Sequence, residues 1–262
     1  MKNSALERFN TDFLGNRIGE IQNPLSERLE NRLGTTSSES VLLGLASCAC
    51  SFCAGVSFDS TKTSELSQDS SLSPNAIISS TYGDITKGYI DWDPDGGNTS
   101  LTYTVFDTDK SNVLFTSLEH SDEEEALIDE TFAEVDSLIE LDFVESESVR
   151  DSEIVVLKVE DYLPWMFSPG VVGQVVEGAN RWFVLWRPTG DPEFDVNTIL
   201  HEIGHGLGLS HPNEFPSDPR WNTVEDTMMS YNAGPGGQWG LDYTDIDSSA
   251  LTEIWGVEST LL

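Results

Sequence analysis

The chain has 262 residues, of which 38% are hydrophobic, enough for a sizeable core. It carries 46 acidic and 13 basic residues, a net charge of −33, and residues 76–262 contribute −30 of that charge. Such a surface repels nucleic acid and anionic membranes, so the composition argues against both as stable partners. Because salt screens the self-repulsion of the chain, the charge favours a saline extracellular setting.

The first 75 residues differ in character from the rest. Apolar residues recur at helical spacing over 1–33, while 41–58 is apolar but too short for a membrane span. Residues 59–75 are rich in Ser, Thr and Asp, which is typical of a flexible linker. We therefore expect a leader over 1–75 and a folded domain over 76–262. The leader holds all three cysteines, Cys48, Cys50 and Cys53, which are too few to define a disulfide framework.

The folded domain mixes strand and helix patterns. Short runs rich in β-branched and aromatic residues predict strands at 89–92, 101–106, 154–159 and 181–186. Apolar residues at helical spacing predict a long amphipathic helix over 123–141 and a closing helix over 243–255.

An acidic turn follows the first predicted strand. Asp91, Asp93, Asp95 and Gly96 resemble the start of a calcium-binding loop. A twelve-residue loop needs Glu at its last position, where this chain has Thr102. A solvated turn is therefore favoured over a Ca²⁺ site.

The most informative stretch is 201–211, which reads HEIGHGLGLSH and contains three of the four histidines. His201 and His205 are four residues apart, so on a helix they lie on one face and can reach the same ion. Gly208 lacks a Cβ and can take positive φ, which lets the helix end in a sharp turn. That turn would bring His211 to the ion from another direction.

This spacing fits a catalytic Zn²⁺ site. Three neutral imidazoles leave one position of a tetrahedral zinc open for water, whereas a structural site normally closes it with Cys or His. Glu202 is rotated by about 100° from His201. It therefore lies beside the metal, where it can act as general base. The competing interpretation is a helix whose histidines cap or pack without a metal.

The pattern resembles the metzincin clan of zinc endopeptidases, in which a long histidine motif is followed by a methionine-containing turn. Here the turn is the stretch DTMMSYN at 226–232. The order Met229, Ser230, Tyr231 is similar to the serralysin family. The resemblance implies that Met229 forms a floor beneath the zinc ligands and that Tyr231 binds zinc or stabilises the oxyanion. Matrixins share the histidines and the methionine but have no tyrosine at that position.

The resemblance also implies an α+β fold of the metzincin type. It predicts a twisted, mostly parallel sheet with an antiparallel edge strand, a long helix, the zinc helix and a C-terminal helix. Residues 76–262 would form the catalytic domain and 1–75 a propeptide or export leader. Protein or peptide substrates would pair with the sheet edge at 181–186. We expect a secreted monomer, although the C-terminal glycine-aspartate repeats usual in serralysins are absent and leave the export route open.

Two alternatives remain open at this point. One is a matrixin-like peptidase whose leader is latched to zinc by a thiolate of Cys48, Cys50 or Cys53, although no matrixin switch motif surrounds them. The other is a catalytically idle zinc-binding or adhesion protein of the same fold. Retention of Glu202 and Tyr231 argues against the second, because a binding module needs neither.

Overall fold

A seven-stranded mixed sheet forms the centre of the protein. The computed structural model describes residues 72–90, 92, 99–111, 115–162, 171–178, 180–212 and 222–258. The strands are β1 (Thr99–Phe106), β2 (Lys110–Ser111), β3 (Phe115–Leu118), β4 (Leu141–Glu145), β5 (Ile154–Tyr162), β6 (Gly173–Gly178) and β7 (Arg181–Trp186). The helices are α1 (Tyr82–Tyr89), α2 (Asp122–Asp136), α3 (Pro192–Gly206) and α4 (Asp245–Trp255). Predictions for 1–71, for the three cysteines and for the acidic turn lie outside the described residues.

The long strand β5 lies in the middle of the sheet. Its first half is parallel to β1 on one side and to β7 on the other, and β4 runs parallel to β1. The second half of β5 pairs antiparallel with β3, which forms a hairpin with β2. β6 is antiparallel to β7. The expected α+β class, with a mostly parallel sheet and an antiparallel edge strand, is confirmed.

The identity of that edge strand was predicted incorrectly. The strand at 181–186 is β7, which is hydrogen-bonded to β5 on one side and to β6 on the other. Within the described residues, β6 forms this edge of the sheet. Buried positions fill nearly all of β6 and β7. Because both strands are buried along most of their length, burial does not distinguish the outermost strand from its neighbour.

The strand predictions at 101–106, 154–159 and 181–186 are confirmed as β1, β5 and β7. The strand predicted at 89–92 is wrong, because Tyr89 is the last residue of α1. Tyr82, Thr86 and Tyr89 recur at helical spacing and all contact Trp182 on β7. Tertiary packing against this tryptophan outweighs the β propensity of the tyrosine and isoleucine.

The long amphipathic helix is real but shorter than the predicted span of 123–141. A capping box between Ser121 and Glu124 begins α2, and the helix ends at Asp136. The Asp136 side chain then accepts a hydrogen bond from the backbone N–H of Phe143 at 2.8 Å. Leu141 is the first residue of β4 and is buried there as part of a strand. Its position also fits the helical spacing, which is why the predicted helix was too long. The closing helix is confirmed as α4, with Thr244 as its N-cap.

Helices α2 and α3 pack on the same face of the sheet. The inward-facing residues of β1, β5 and β7 share one register, which places Tyr103, Ile154 and Trp182 side by side. Tyr103 stacks on Phe132 of α2 with ring centroids 4.0 Å apart. The core between the layers is closed by the Met228–Met229 segment and by α4. No helix in the described part of the chain is long and apolar enough to cross a membrane.

His120, the one histidine outside the 201–211 stretch, is buried between β3 and α2. Its Nε2 lies 3.2 Å from the indole nitrogen of Trp186, which donates to it. Burial, and secondarily the charge of Lys158, lowers the pKa of His120 to about 4. The side chain is therefore neutral in the folded protein at neutral pH.

We expect His120→Gln to reduce the loss of unfolding free energy between neutral and acid pH. Glutamine keeps an acceptor for the Trp186 indole but does not titrate. Unfolded His120 binds a proton below about pH 6.5, whereas the folded side chain stays neutral down to about pH 4. Its contribution is fully present above pH 6.5 and is lost as the pH falls, by about 3 kcal/mol at pH 4. Urea denaturation of the metal-free chain across this range measures the difference. Parallel curves for the two proteins would contradict this account.

Candidate metal centre

Helix α3 carries the first two histidines of the cluster. It starts with Pro192 after the N-cap Asp191 and ends at Gly206. His201 and His205 face the same side, with ring centroids 4.9 Å apart, and each is almost fully buried. Both rings are therefore held in place by surrounding protein on a rigid element.

Gly208 ends the helix as predicted, with φ of 107°. The backbone N–H of Leu209 donates to the carbonyl of Gly204 at 2.9 Å, and that of Gly208 donates to His205 at 3.1 Å. This pair of bonds is a Schellman motif. The chain therefore turns back sharply and carries His211 towards the helical pair.

The three histidines converge on one point. The Nε2 of His211 lies 3.0 Å from Nε2 of His201 and 2.8 Å from Nε2 of His205. One ring nitrogen from each residue falls within 4.8 Å of the other two. Burial lowers the pKa of all three imidazoles, with a further contribution at His201 and His211 from neighbouring histidines. The cluster is therefore neutral at physiological pH.

Backbone carbonyls fix which nitrogen of the helical pair is protonated. The Nδ1 of His201 lies 3.0 Å from the carbonyl oxygen of Met228, and Nδ1 of His205 lies 2.9 Å from that of Leu209. A neutral imidazole has one N–H, and here the carbonyl requires it on Nδ1. Both Nε2 lone pairs therefore point at His211. A cation held between the three rings would be bound through these lone pairs.

The donor set fits zinc. Bonds of 2.0–2.1 Å to a tetrahedral ion place ligand nitrogens about 3.3–3.4 Å apart. The two distances from Nε2 of His211, 3.0 and 2.8 Å, are a few tenths of an ångström shorter than this. Among the described residues, the group contains three histidines and no fourth His, Cys, Asp or Glu. Three protein ligands with an open position are the arrangement of catalytic zinc sites.

Glu202 lies next to the first histidine and is 1% exposed. Burial raises the pKa of this carboxyl well above its ordinary value. Gly173, the first residue of β6, packs directly against Glu202. A Cβ built on this glycine would lie 2.6 Å from Oε1 of Glu202 and 2.7 Å from Thr198. The edge strand thus starts directly against the glutamate. We did not single out Gly173 from the sequence, although a glycine at a strand terminus signals a close backbone approach.

Met229 is fully buried and packs against helix α3. A Cβ at Gly204, the residue before His205, would lie 2.7 Å from the Met229 sulfur. The methionine thus occupies the space that this glycine leaves. Its neighbour Met228 supplies the carbonyl that fixes the tautomer of His201.

Tyr231 lies beside the third histidine of the cluster. Its hydroxyl is 2.7 Å from Nε2 of His211, and its ring packs against the His211 ring with centroids 4.2 Å apart. The side chain is 5% exposed. The phenol thus reaches the atom on which the three histidines converge.

Asp247 connects α4 to the methionine turn and was missed in the sequence. Its buried carboxylate accepts hydrogen bonds from the Thr227 hydroxyl at 2.5 Å, the Met228 N–H at 2.8 Å and the Thr244 N–H at 2.9 Å. Burial raises the pKa of Asp247, and these hydrogen bonds oppose that shift. The spacing of Thr244 and Asp247, which is that of a capping box, could have revealed its local role.

Comparison with known proteins gives a short match. Serralysin C from Dickeya chrysanthemi is 38% identical to this chain over 64 residues, which are 23% of this chain and 13% of serralysin C. The chain thus matches a small part of that protein's length. No family model matches the chain. The match and the histidine cluster together support, in general terms, a likeness to a zinc peptidase.

We expect the purified chain to bind one zinc ion, and His211→Ala to lose it, because two histidines leave the ion with half of a tetrahedral shell. His120→Gln is the matched control, since His120 is the histidine that lies outside the cluster. Elemental analysis after dialysis against low-zinc buffer gives the metal content per chain. Zinc lost from the His120 variant but kept in the His211 variant would contradict the assignment.

Proposed function

We propose that this protein is a zinc-dependent endopeptidase. The observation that carries the proposal is the convergence of three neutral histidines beside a buried glutamate, where the edge strand begins. The short match to serralysin C supports the same class. His201, His205 and His211 would hold the metal, and a catalytically idle binding protein would need no carboxylate at Glu202.

When bound, zinc supplies a Lewis acid that polarises the scissile carbonyl and lowers the pKa of a water molecule to about 7. Glu202 would accept a proton from the attacking water and return it to the leaving amine.

Tyr231 would stabilise the negative charge that develops on the carbonyl oxygen. Its hydroxyl already lies within hydrogen-bond distance of His211 at the point of convergence. A donor held in place before the reaction costs no reorganisation when the charge forms.

Substrate would bind in an extended conformation along β6. Among the described strands β6 pairs with β7 alone, and a peptide would add to the sheet on the other side of β6. Main-chain pairing tolerates many side chains, which supports an endopeptidase acting on proteins or peptides. Because Gly173 abuts Glu202, a peptide on this edge passes directly beside the general base.

The acidic surface supports an extracellular site of action, with no nucleic-acid partner. We further propose that the protein acts as a monomer and that residues 1–75 are a propeptide or export leader. A thiolate of Cys48, Cys50 or Cys53 that binds zinc would make the leader inhibitory.

Replacing Glu202 by Gln should preserve the zinc content and lower casein hydrolysis by about 10²–10⁴-fold, since the amide is isosteric but cannot accept a proton. Hydrolysis by the full chain, as purified and after any self-processing, is measured with and without a chelator. Glu193→Gln on the first turn of the same helix is the control and should behave as wild type. Unchanged turnover in the Glu202 variant would rule out this mechanism.

Tyr231→Phe should lower kcat by about 10²-fold with little change in KM, because the lost hydrogen bond forms mainly in the transition state. Initial rates on a fluorogenic peptide separate the two constants. A rise in KM at constant kcat would show that the tyrosine contributes to substrate binding instead.

A further inference from the structure

The end of the zinc helix is held by elements from both ends of the domain. The Gly206 carbonyl accepts a hydrogen bond from the Thr86 hydroxyl at 2.8 Å, and the Leu207 carbonyl accepts one from the Trp255 indole at 2.8 Å. The Gly208 carbonyl accepts the backbone N–H of Ser79 at 2.9 Å. A helix leaves its last carbonyls without intrahelical partners. Here residues outside the motif supply those partners.

A short backbone pairing lies next to the third histidine. Besides the bond from Ser79, the N–H of Ser210 donates to the carbonyl of Ile77 at 2.7 Å, and Ile78 forms an antiparallel bridge with Leu209. His211 is the next residue in the chain. Its direction of approach therefore depends on a segment more than 120 residues away in sequence.

Thr86 joins three elements through one hydroxyl. It is fully buried, and besides Gly206 it contacts the Tyr82 carbonyl at 3.0 Å. The same oxygen accepts the indole N–H of Trp182 on β7 at 2.8 Å. Removing the hydroxyl would leave the Gly206 carbonyl and the Trp182 N–H without this partner, which is costly for buried groups.

Helix α1 also contacts the cluster itself. The Tyr82 ring meets the His205 ring edge to face, with centroids 5.8 Å apart. A Cβ at Gly208 would lie 3.1 Å from the Cα of Gly83. Gly208 is therefore required for two reasons, its positive φ and the passage of α1 over the turn.

We propose that residues 77–86, named here the N-terminal clamp, position the zinc-binding turn and so set the affinity for the metal. Thr86 is the principal positioning residue, and the Ile77–Ser79 pairing orients His211. The inference rests on the zinc function proposed above. A turn held in its metal-binding geometry loses less conformational freedom when the ion binds, so the clamp raises affinity without touching the ion.

The test is the zinc affinity of Thr86→Val against Thr86→Ser, measured on the full chain by competition with a chromophoric chelator. Valine keeps the shape but removes the hydroxyl, whereas serine keeps the hydroxyl. We expect valine to weaken zinc binding by about 10–100-fold and serine to stay close to wild type. Thermal melts of the metal-free proteins establish that each is folded at the assay temperature. A folded valine variant with wild-type affinity would overturn the proposal.

A second pair of variants decides the matter if the valine variant does not fold. Ser79→Pro removes the N–H that bonds to Gly208, while Ser79→Ala keeps it, and both lose the side-chain bonds of Ser79 to Tyr82 and Thr81. Ile78 has φ of −87° and ψ of 121°, which a following proline accepts. Weaker zinc binding in the proline variant alone supports the clamp, and equal affinity in the two overturns it. Failure of the wild-type chain to bind zinc would instead refute the proposed function.

Discussion

Three imidazole nitrogens that converge on one point define the site. Two of these nitrogens are acceptors because backbone carbonyls hold the protons of His201 and His205 on the opposite side of each ring. A cation at this point would be bound by one nitrogen of each ring. In a chain of net charge −33, the surrounding field also favours a cation. The rest of the fold holds the three rings in this arrangement.

That positioning comes from three directions. Below the helix, Met229 fills the space at Gly204, and Asp247 fixes the backbone that carries the Met228 carbonyl. At the end of the helix, Thr86 and the Ile77–Ser79 pairing hold the turn. On the sheet side, β6 begins against Glu202. The residues that perform the proposed chemistry are therefore few, whereas their placement depends on both termini of the domain.

Local sequence predicts what depends on local geometry. The four-residue spacing of His201 and His205 and the glycine at 208 determine a helix and its turn, because both follow from backbone periodicity and sterics. Three strands and two helices were predicted for the same reason. The end of α2 was misplaced because an apolar residue has the same appearance in a helix as in the strand that follows it.

What the sequence could not supply were long-range partners. Nothing local to 181–186 indicates that β6 pairs outside it, so the edge strand was assigned to the wrong segment. Tyr89 was assigned to a strand because the residue it packs against, Trp182, is distant in the chain. Asp247 and Thr86 look like an ordinary helix cap and an ordinary helix residue. Their roles depend on contacts that are distant in sequence, from Asp247 to the methionine turn and from Thr86 to the end of α3.

The central claim is that the three histidines form one metal site. Zinc-edge X-ray absorption on the zinc-loaded full chain tests it most directly, because this spectrum distinguishes imidazole from carboxylate and thiolate ligands. We predict three imidazoles at about 2.0–2.1 Å with one further light-atom ligand. A spectrum with fewer than three imidazoles, or with sulfur at about 2.3 Å in place of any of them, would contradict the account.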